Sequence, residues 1–385
     1  MTGENPFRVG AHVTGAFFTD RAVEVRRIAG ALSDPTRLLV FGARRIGKSS
    51  AIEVASQRVR RRGVLVVRAD LSTASGLVDV ANRLLHSLSR QRPRERLLDF
   101  AASLAPAVSL RFDEVTGAPR LTFGVERRTS PEDQQQRSLE QVFEALALPR
   151  KGGERHVAVV LDEFQAIRRF GGEAAEWYLR DLIQRSGGLS FVCAGSEVSV
   201  IQEMLAAERA FFRTFELLHM GPLDPGHLST WIDSRLEAAG VAPGGAGARI
   251  VDRVGPRTQD VLQVARHVYA RGSGSGEVAA GDVDGAVEDV VREEDAVIRA
   301  IWTSLTAHQQ NVLRAVAAGV DQLFSVQARG RFGLPTSSTV AVAVDALEGR
   351  GLLFRDAATG AIAFDSPFFR LWVEREALQD VPPRQ

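Results

Sequence analysis

Residues 38–50 read Leu38-Leu39-Val40-Phe41-Gly42-Ala43-Arg44-Arg45-Ile46-Gly47-Lys48-Ser49-Ser50. An apolar, strand-like run leads directly into the pattern G-x-x-x-x-G-K-S, which is typical of a loop whose backbone N–H groups surround phosphates. The helix expected to begin near Lys48 directs the positive end of its dipole at the same phosphates. The stretch therefore predicts a strand, a phosphate-binding loop and a helix in succession.

The residues of this loop have separate predicted roles. Lys48 is expected to reach the β- and γ-phosphates of a nucleotide, and Ser49 to place its hydroxyl on Mg²⁺. Arg44 and Arg45 project from the outer face of the loop, so contact with an insertion or a partner is an alternative to nucleotide binding for both. The loop residues predicted to bind the nucleotide are Gly42, Arg44, Arg45, Ile46, Gly47, Lys48, Ser49 and Ser50.

A second motif supplies the acidic half of the same site. The five apolar residues 157–161 suit a parallel strand covered on both faces, and Asp162-Glu163 follows them. Asp162 would emerge at the carboxyl end of the strand, where ligands bind in open α/β sheets, and would hold Mg²⁺ directly or through water. Glu163 would orient the attacking water or accept its proton, and its presence favours hydrolysis over binding alone.

The composition is that of an ordinary globular protein. The chain has 385 residues, 45% of them hydrophobic and 25% charged, and its net charge of +1 provides no overall basic field for nucleic acid. The single cysteine, Cys193, excludes an internal disulfide and a multi-cysteine metal site. The N-terminus has no basic-then-apolar signal and no stretch has the length of a membrane span, so we expect a cytoplasmic protein without a membrane partner.

Strand and helix patterns alternate through the first half of the chain. This alternation predicts an α/β fold in which a parallel sheet has helices on both faces. Residues 90–135 are rich in Arg, Pro and Gly and predict an irregular insertion that contains a hairpin. The predicted strands are 38–41, 64–70, 157–161, 189–194 and 215–220, and the predicted helices are 48–62, 78–88, 139–148 and 173–184.

The rest of the chain is predicted to be helical until a last hairpin. Helices at 225–239, 247–254 and 258–271 predict a small lid, and the Gly-Ser run 272–276 predicts a flexible break. A long helix at 284–305 is followed by helix, helix, helix and hairpin, which is the order of a winged helix-turn-helix. The predicted domains are a P-loop ATPase domain at 1–223, a helical lid at 224–276, and a linker helix with the winged helix at 277–385.

Together these motifs resemble the archaeal-type branch of the AAA+/STAND P-loop ATPases, a family that also occurs widely in bacteria. The loop matches the family form G-x-R-R-x-G-K-[ST], and residues 162–165 match its characteristic D-E-F-Q. The other segments that carry the resemblance are Asn5-Pro6-Phe7, Asp20-Arg21 with Glu24, Arg180 with Gln184, Ala194-Gly195-Ser196, Ala210-Phe211-Phe212, Gly221-Pro222-Leu223 and the closing stretch Phe364 to Trp372.

The resemblance implies ATP and Mg²⁺ as ligands and adds candidate site residues. Asp20 and Arg21 would pack by the adenine. Pro256 lies in a lid turn that is related to a nucleotide-contacting turn of the family but is shifted here. Ser196 would hold the attacking water against Glu163, the alternative being a turn residue at a strand end.

One further candidate concerns a second molecule. Arg213 lies where the family often carries an arginine before the last strand, and it would stabilise γ-phosphate charge in the site of a neighbouring copy. The alternative for Arg213 is a surface ion pair. Besides ATP and ADP, we therefore expect a protein partner or a homo-oligomer.

The predicted winged helix carries no net charge. Residues after 300 include eight arginines and eight acidic residues, and the predicted recognition helix at 337–350 has no basic residue before Arg350. DNA readers usually present a basic face and a base-contacting Arg, Asn or Gln. DNA contact is therefore an alternative that the charges do not favour. We expect the aromatic tail 364–372 to be buried by docking of this region on the ATPase body.

The sequence as a whole predicts an ATP-dependent molecular switch. The sheet domain would bind ATP and Mg²⁺, Glu163 would promote slow hydrolysis, and the lid and winged helix would respond to the nucleotide state. Two alternatives stay open. One is a DNA-acting ATPase similar to origin-recognition or transposon-regulator AAA+ proteins, and the other is a scaffold that binds ATP without hydrolysing it.

Overall fold

The computed structural model describes residues 4–10, 15–91, 108–112, 119–123, 131–148, 156–320, 322–355 and 360–378. The chain divides into two compact units. One unit is His12–Pro222, and the other combines Met1–Ala11 with Leu223–Gln385. None of the helices in the described part of the chain is both long enough and apolar enough to cross a bilayer.

The first unit is built on a five-stranded parallel sheet with the strand order β2-β5-β6-β1-β7. Strand β1, which leads into the G-x-x-x-x-G-K-S loop, and strand β5, which ends at Asp162, are thus separated by β6 alone. A separate antiparallel hairpin, β3-β4, lies within the predicted insertion. The strands are β1 (Arg37–Phe41), β2 (Val64–Asp70), β3 (Val108–Phe112), β4 (Pro119–Phe123), β5 (His156–Asp162), β6 (Leu189–Gly195) and β7 (Glu216–His219).

Helices cover both faces of this sheet, which explains why its inner strands β1, β5 and β6 are mostly apolar. One face, with Leu39, Val159 and Phe191, belongs to one buried cluster, and the opposite face, with Val40 and Val160, belongs to another. The predicted α/β class is therefore confirmed. The helices are α1 (Ala22–Ser33), α2 (Lys48–Arg60), α3 (Leu77–Ser89), α4 (Pro131–Ala147), α5 (Gly172–Arg185) and α6 (Val198–Met204), with a 3-10 helix at Phe164–Phe170.

The predicted insertion is shorter than the sequence pattern indicates. Helix α4 begins at Pro131, eight residues before the expected start at 139. Proline suits the first position of a helix because its missing N–H has no partner there anyway and its φ is already helical. The first part of α4 lacks the apolar periodicity that predicts a helix. The remainder of the insertion, at 92–107, 113–118 and 124–130, lies outside the described residues.

The second unit contains the predicted lid helices, the long helix and the winged helix. Side-chain caps begin its helices at Asp224, Thr306, Ser325 and Thr336, each accepting a backbone N–H of the first turn. In the turn of the predicted last hairpin, residues 356–359 lie outside the described residues, and the structure is described again from Gly360 onward. The elements are α7 (Pro225–Ala238), α8 (Ala246–Val254), α9 (Thr258–Gly272), α10 (Asp282–Thr303), α11 (Ala307–Ala317), α12 (Val326–Phe332), α13 (Ser337–Gly349), β8 (Leu353–Arg355), β9 (Ile362–Phe364) and α14 (Pro367–Trp372).

The aromatic tail is buried within this second unit. Phe368, Phe369 and Trp372 are at most 3% exposed, and they belong to the cluster that contains the lid and the long helix. The indole N–H of Trp372 donates to Asp295 Oδ1 of α10 at 2.7 Å, and its ring lies 5.7 Å from that of Trp302. The tail therefore does not need the sheet domain to cover it, because α10 supplies an apolar face inside the same unit.

A buried carboxylate joins four segments of the first unit. The side chain of Glu176 on α5 is completely buried and accepts hydrogen bonds from Arg168 and Arg209. Arg168 belongs to the 3-10 helix that follows β5 and also contacts Glu203 of α6. Arg209 bridges to the exposed Glu173 as well. This network attaches the residues after the acidic motif to α5, to α6 and to the segment before β7.

Replacing Glu176 by Ala should lower the free energy of unfolding by about 3–5 kcal/mol, because two guanidinium groups would lose their buried partner. Chemical denaturation of the full chain measures this change. The matched control is Glu173→Ala on the same helix and the same Arg209, which should cost about 1 kcal/mol or less because that pair is exposed. Equal losses for the two variants would contradict the role assigned to the buried carboxylate.

Candidate functional site

The phosphate-type loop begins where β1 ends. Gly42 adopts φ 155°, and a Cβ at this position would overlap the Met220 carbonyl and the Ile46 side chain, so only glycine fits. Ile46 is buried in the cluster below the loop. Gly47 adopts φ 96° as the N-cap of α2, and the helix then starts at Lys48. Close packing on both sides therefore fixes the path of this loop.

The Lys48 ammonium group lies inside the loop. Its Nζ donates to the carbonyls of Gly42 at 2.8 Å and Ala43 at 2.7 Å. Burial lowers the pKa of Lys48 to about 8, Glu163 and Asp162 oppose this shift, and Arg44 adds to it. The position therefore holds a desolvated amine between backbone oxygens and two carboxylates.

Ser49 and Asp162 come together from different elements. Ser49 Oγ donates to Asp162 Oδ2 at 3.2 Å, so the first turn of α2 meets the end of β5. Asp162 is buried, and its other oxygen, Oδ1, accepts the N–H of Glu163 at 3.1 Å. A hydroxyl and a carboxylate are oxygen ligands of the kind that Mg²⁺ takes in proteins, so this pair fits the metal.

Glu163 is held by two neighbours. Its Oε2 accepts hydrogen bonds from Ser196 Oγ and from Gln165 Nε2, both at 2.6 Å. Ser196 follows β6, and Gln165 lies in the 3-10 helix. Both of the bonds found for this carboxylate in the described part of the chain meet Oε2, which leaves Oε1 as the oxygen that can accept a hydrogen bond from a water.

The remaining loop residues divide into exposed and buried positions. Arg44 is exposed and forms an ion pair with Glu197 at 3.2 Å, so it links the loop to the segment after Ser196. Gln165 Nε2 lies 3.4 Å from the same Glu197 oxygen. Arg45 is exposed, and Ser50 is buried on α2. Arg44 thus faces the residues around the acidic motif.

Arg21 holds the loop through hydrogen bonds to backbone carbonyls. Its NH2 donates to the carbonyl of Ile46 at 3.2 Å and to that of Gly221 at 2.5 Å, while NH1 pairs with Glu24 at 3.0 Å. The side chain is 6% exposed. Arg21 therefore positions the loop through its backbone, whereas the neighbouring Asp20 is exposed.

Strained backbone is concentrated at predicted site residues. In the described part of the chain, the non-glycine residues with positive φ are Asp20, Arg21, Arg45, Glu163, Glu208 and Arg213, and all but Glu208 had been selected from the sequence. Such conformations persist where surrounding contacts enforce them, and they cluster at functional sites. Of these residues, Arg21, Arg45 and Glu163 lie in or against the loop and the acidic motif, whereas Arg213 is exposed elsewhere.

Besides the exposed Asp20, two predicted residues are not brought to this site by any described contact. Arg213 is exposed, with its guanidinium 5.3 Å from the centre of the Phe212 ring. Pro256 belongs to the other unit, in the turn between α8 and α9. Its neighbour Arg257 donates to the backbone oxygen and the carboxylate of Asp365 and lies over the Phe354 ring at 4.9 Å, so it ties the lid to the winged helix.

The structure adds one residue that the sequence reasoning missed. Arg68 of β2 forms an ion pair with Asp162 Oδ2, the same oxygen that Ser49 contacts. The signal in the sequence was a charge within an apolar strand, since Val64-Leu65-Val66-Val67 precedes Arg68. A charged residue at such a position is costly to bury unless it is paired.

Comparisons with known proteins agree with this architecture. Residues 296–375 match a family model described as "Probable winged helix domain". A Walker-type ATPase of Pyrococcus abyssi has a similar structure, with 16% identity, a TM-score of 0.63, and coverage of 93% of this chain and 96% of that one. No curated protein matches the chain.

Two proteins of Aeropyrum pernix are also similar in structure. The ORC2 protein, described in complexes with ADPNP and ADP, has 14% identity, a TM-score of 0.55 and 90% coverage of both chains. The ORC1 protein, described in complex with DNA, has 14% identity, a TM-score of 0.50 and 92% coverage of both chains. At these identities the likeness shows the fold alone, a parallel sheet flanked by helices and followed by a C-terminal winged helix, as in these archaeal proteins.

Replacing Arg21 by Ala should loosen the loop without removing any loop residue. A hydrogen bond to a charged group contributes about 1.5–3 kcal/mol, so amide hydrogen exchange of residues 43–47 should accelerate about tenfold or more. Glu24→Ala is the control, because it removes the ion pair of Arg21 but keeps both carbonyl contacts. Unchanged exchange in Arg21→Ala, or equal acceleration in both variants, would contradict the support assigned to Arg21.

Proposed function

We propose that this protein binds ATP with Mg²⁺ and hydrolyses it slowly, as a nucleotide-controlled switch. The observation that carries the proposal is the meeting of Ser49 with Asp162, and of Glu163 with Ser196, beside the Lys48 ammonium group. A cation, a metal-type oxygen pair and an oriented carboxylate are the groups that phosphoryl transfer to water requires. The AAA+ fold raises the expectation by analogy.

Lys48 would contribute charge to phosphate binding. Its present acceptors are the backbone carbonyls of Gly42 and Ala43, and phosphate oxygens are stronger acceptors because they are charged. The loop N–H groups and the start of α2 would surround the same phosphates. Gly42 and Gly47 allow the backbone of the loop to approach a ligand closely.

Ser49 and Asp162 are the residues that would hold Mg²⁺, in contact or through water. Mg²⁺ bound there would neutralise charge on the β- and γ-phosphates. Asp162 is positioned by β5, and Ser49 by the first turn of α2, so both ligands stand on rigid elements. The proposed site therefore needs no rearrangement of the backbone that carries its ligands.

Glu163 would activate the attacking water. With Oε2 held by Ser196 and Gln165, Oε1 would accept a hydrogen bond from the water and then its proton. The water oxygen forms a bond to the γ-phosphorus while the bond from that phosphorus to the bridging oxygen of ADP breaks, releasing inorganic phosphate. Ser196, predicted from the sequence to hold the attacking water against Glu163, would do so by fixing the Glu163 carboxylate.

The lid and winged helix would respond as one body. Arg257 joins the start of α9 to Asp365 and Phe354, and the aromatic tail packs on α10. Two compact units within one chain suit a switch, because ligand binding can favour one arrangement of units over another. The roles of Arg213 in a neighbouring copy, of Asp20 near adenine and of Pro256 near nucleotide belong to this proposal. So does the three-domain division at 223 and 276.

Replacing Glu163 by Gln should keep ATP binding and lower phosphate release at least about a hundredfold, because the amide cannot accept the proton. Binding is measured with a fluorescent ATP analogue, and hydrolysis by phosphate release under saturating ATP. Lys48→Ala is the matched control and should lose binding while its circular dichroism spectrum stays that of the folded chain.

Three results would count against parts of this proposal. Native-like affinity in a folded Lys48→Ala protein would remove the nucleotide site. Unchanged phosphate release in Glu163→Gln would remove the catalytic assignment. A wild-type protein that binds ATP and never releases phosphate would favour the scaffold that binds without hydrolysis.

A DNA-acting ATPase is the second candidate, and the winged helix is the feature that suggests it. The wing residue Arg355, however, is paired with Asp345 at 3.0 Å and Glu348 at 3.1 Å, both on α13. The exposed part of α13 presents Ser338 and Val342. Duplex affinity depends largely on cationic groups that neutralise phosphates. The Arg355 guanidinium of the wing is already paired with the two acidic residues of α13.

The full chain should therefore bind random duplex DNA with a Kd weaker than about 1 μM near 100 mM salt, which is within the range of non-specific binding. Fluorescence anisotropy with and without ATP measures it. The double variant Asp345→Asn with Glu348→Gln releases Arg355 and should bind several-fold tighter. Sub-micromolar affinity of the wild type with a steep salt dependence would favour the DNA-acting ATPase.

A further inference from the structure

Arg68 interrupts the apolar face of the edge strand β2. Val64 and Val66 of this strand belong to the cluster under α1 and α2, and Arg68 follows them on the same face at the strand's regular period of two. In the parallel pairing with β5, Arg68 is the register partner of Val160, and Asp70 is the register partner of Asp162. Arg68 therefore lies two residues before Asp70, and Asp70 is beside Asp162 in the strand pair.

The guanidinium of Arg68 is engaged with the carboxylate that the proposed function assigns to Mg²⁺. It contacts Asp162 Oδ2, and the side chains of the two residues are 20% and 9% exposed. Ser49 Oγ contacts the same oxygen. Mg²⁺ between Ser49 and Asp162 would thus need the oxygen that Arg68 holds, and two cations at one oxygen repel each other.

A second carboxylate with which Arg68 can pair is that of Asp70, the register partner of Asp162. Arg68 and Asp70 both line a cleft of about 740 Å³ between α2, β2 and α3. Asp70 is exposed and uses Oδ1 to accept the N–H and hydroxyl of Ser72. The cleft therefore offers room for the guanidinium and an acceptor for its charge on the same face of the same strand.

We propose that Arg68 is a positioning residue that competes with Mg²⁺ for Asp162 and moves to Asp70 when the metal binds. This inference rests on the proposed function, because it needs Asp162 to be a metal ligand. The strand backbone holds Arg68 in place through Ser87, whose Oγ accepts the Arg68 N–H at 2.9 Å, so only the side chain exchanges partners. The exchange makes nucleotide binding depend on the Mg²⁺ concentration.

Substitutions of Arg68 and of Asp70 should change the apparent Mg²⁺ affinity in opposite directions. If Arg68 pairs with Asp162 in most molecules that lack metal, only the remaining fraction of molecules is ready to bind Mg²⁺. The apparent Mg²⁺ affinity is then lower than the intrinsic affinity by that fraction. Removing Arg68 then restores that fraction, and removing the charge of Asp70 reduces it further. Charge alone would let the two substitutions act independently, whereas an exchange of partners makes the effect of Asp70 depend on the presence of Arg68.

The test is a titration of the full chain with Mg²⁺ at a fixed concentration of a fluorescent ATP analogue. Arg68→Ala should lower the Mg²⁺ midpoint about three- to tenfold, and Asp70→Asn should raise it about threefold. In the double variant, Asp70→Asn should add no shift, because its effect passes through Arg68. Arg60→Ala is the matched control, since Arg60 lines the same cleft but forms its ion pair with Glu53.

Binding of Mn²⁺, followed by the loss of the free-ion paramagnetic resonance signal with nucleotide present, gives a readout of the metal itself. If Arg68→Ala does not fold, Arg68→Gln removes the charge with less change in shape and should shift the midpoint in the same direction. A raised midpoint in these variants would show that Arg68 supports the metal ligand and would overturn the competition. An unchanged midpoint would overturn it as well.

These outcomes are distinct from failure of the proposed function. If the wild type binds the nucleotide analogue in the presence of Mg²⁺ and the variants leave its midpoint unshifted, the nucleotide site stands and Arg68 has no part in metal binding. If the wild type binds no nucleotide at any Mg²⁺ concentration, the proposed function fails and this inference fails with it. An equal shift in Arg60→Ala would show a general charge effect of the cleft and contradict a specific role for Arg68.

Discussion

The parallel register of β1, β6 and β5 is the constraint on which the site depends. Parallel strands carry their carboxyl ends to one edge, so residues more than a hundred positions apart in the chain meet there. Helices on both faces favour apolar strands, and most of the polar groups of the site follow the strand ends. The loop after β1, the carboxylates after β5 and Ser196 after β6 are consequences of that single arrangement.

Charge inside the sheet unit is tolerated where it is paired. Lys48 is surrounded by backbone carbonyls and two nearby carboxylates, and Asp162 is contacted by Ser49 and Arg68. The buried carboxylate of Glu176 is likewise paired, with the half-buried Arg168 and Arg209. Because each of these groups depends on its partners, a ligand that takes one partner changes the environment of the next.

The second unit uses aromatic and arginine side chains as connections. Trp372 and Arg257 join the winged helix to the long helix and to the lid, respectively. The surface of α13 is left with small polar and apolar groups, and its acids engage Arg355 of the wing. A winged-helix topology therefore does not by itself supply the charges that recognise DNA, since function belongs to the residues grafted on a fold.

Local patterns in the sequence determined the phosphate-type loop, the acidic strand, the alternation of strands and helices, and the order of the winged helix. These features depend on residues close together in the chain, where apolar period, glycine and capping residues act directly. The early start of α4 was missed because its first turns lack apolar periodicity. Only the tertiary structure decided that Arg68 reaches Asp162 and that Arg21 supports the loop. Such contacts depend on strand order and packing, which no local pattern encodes.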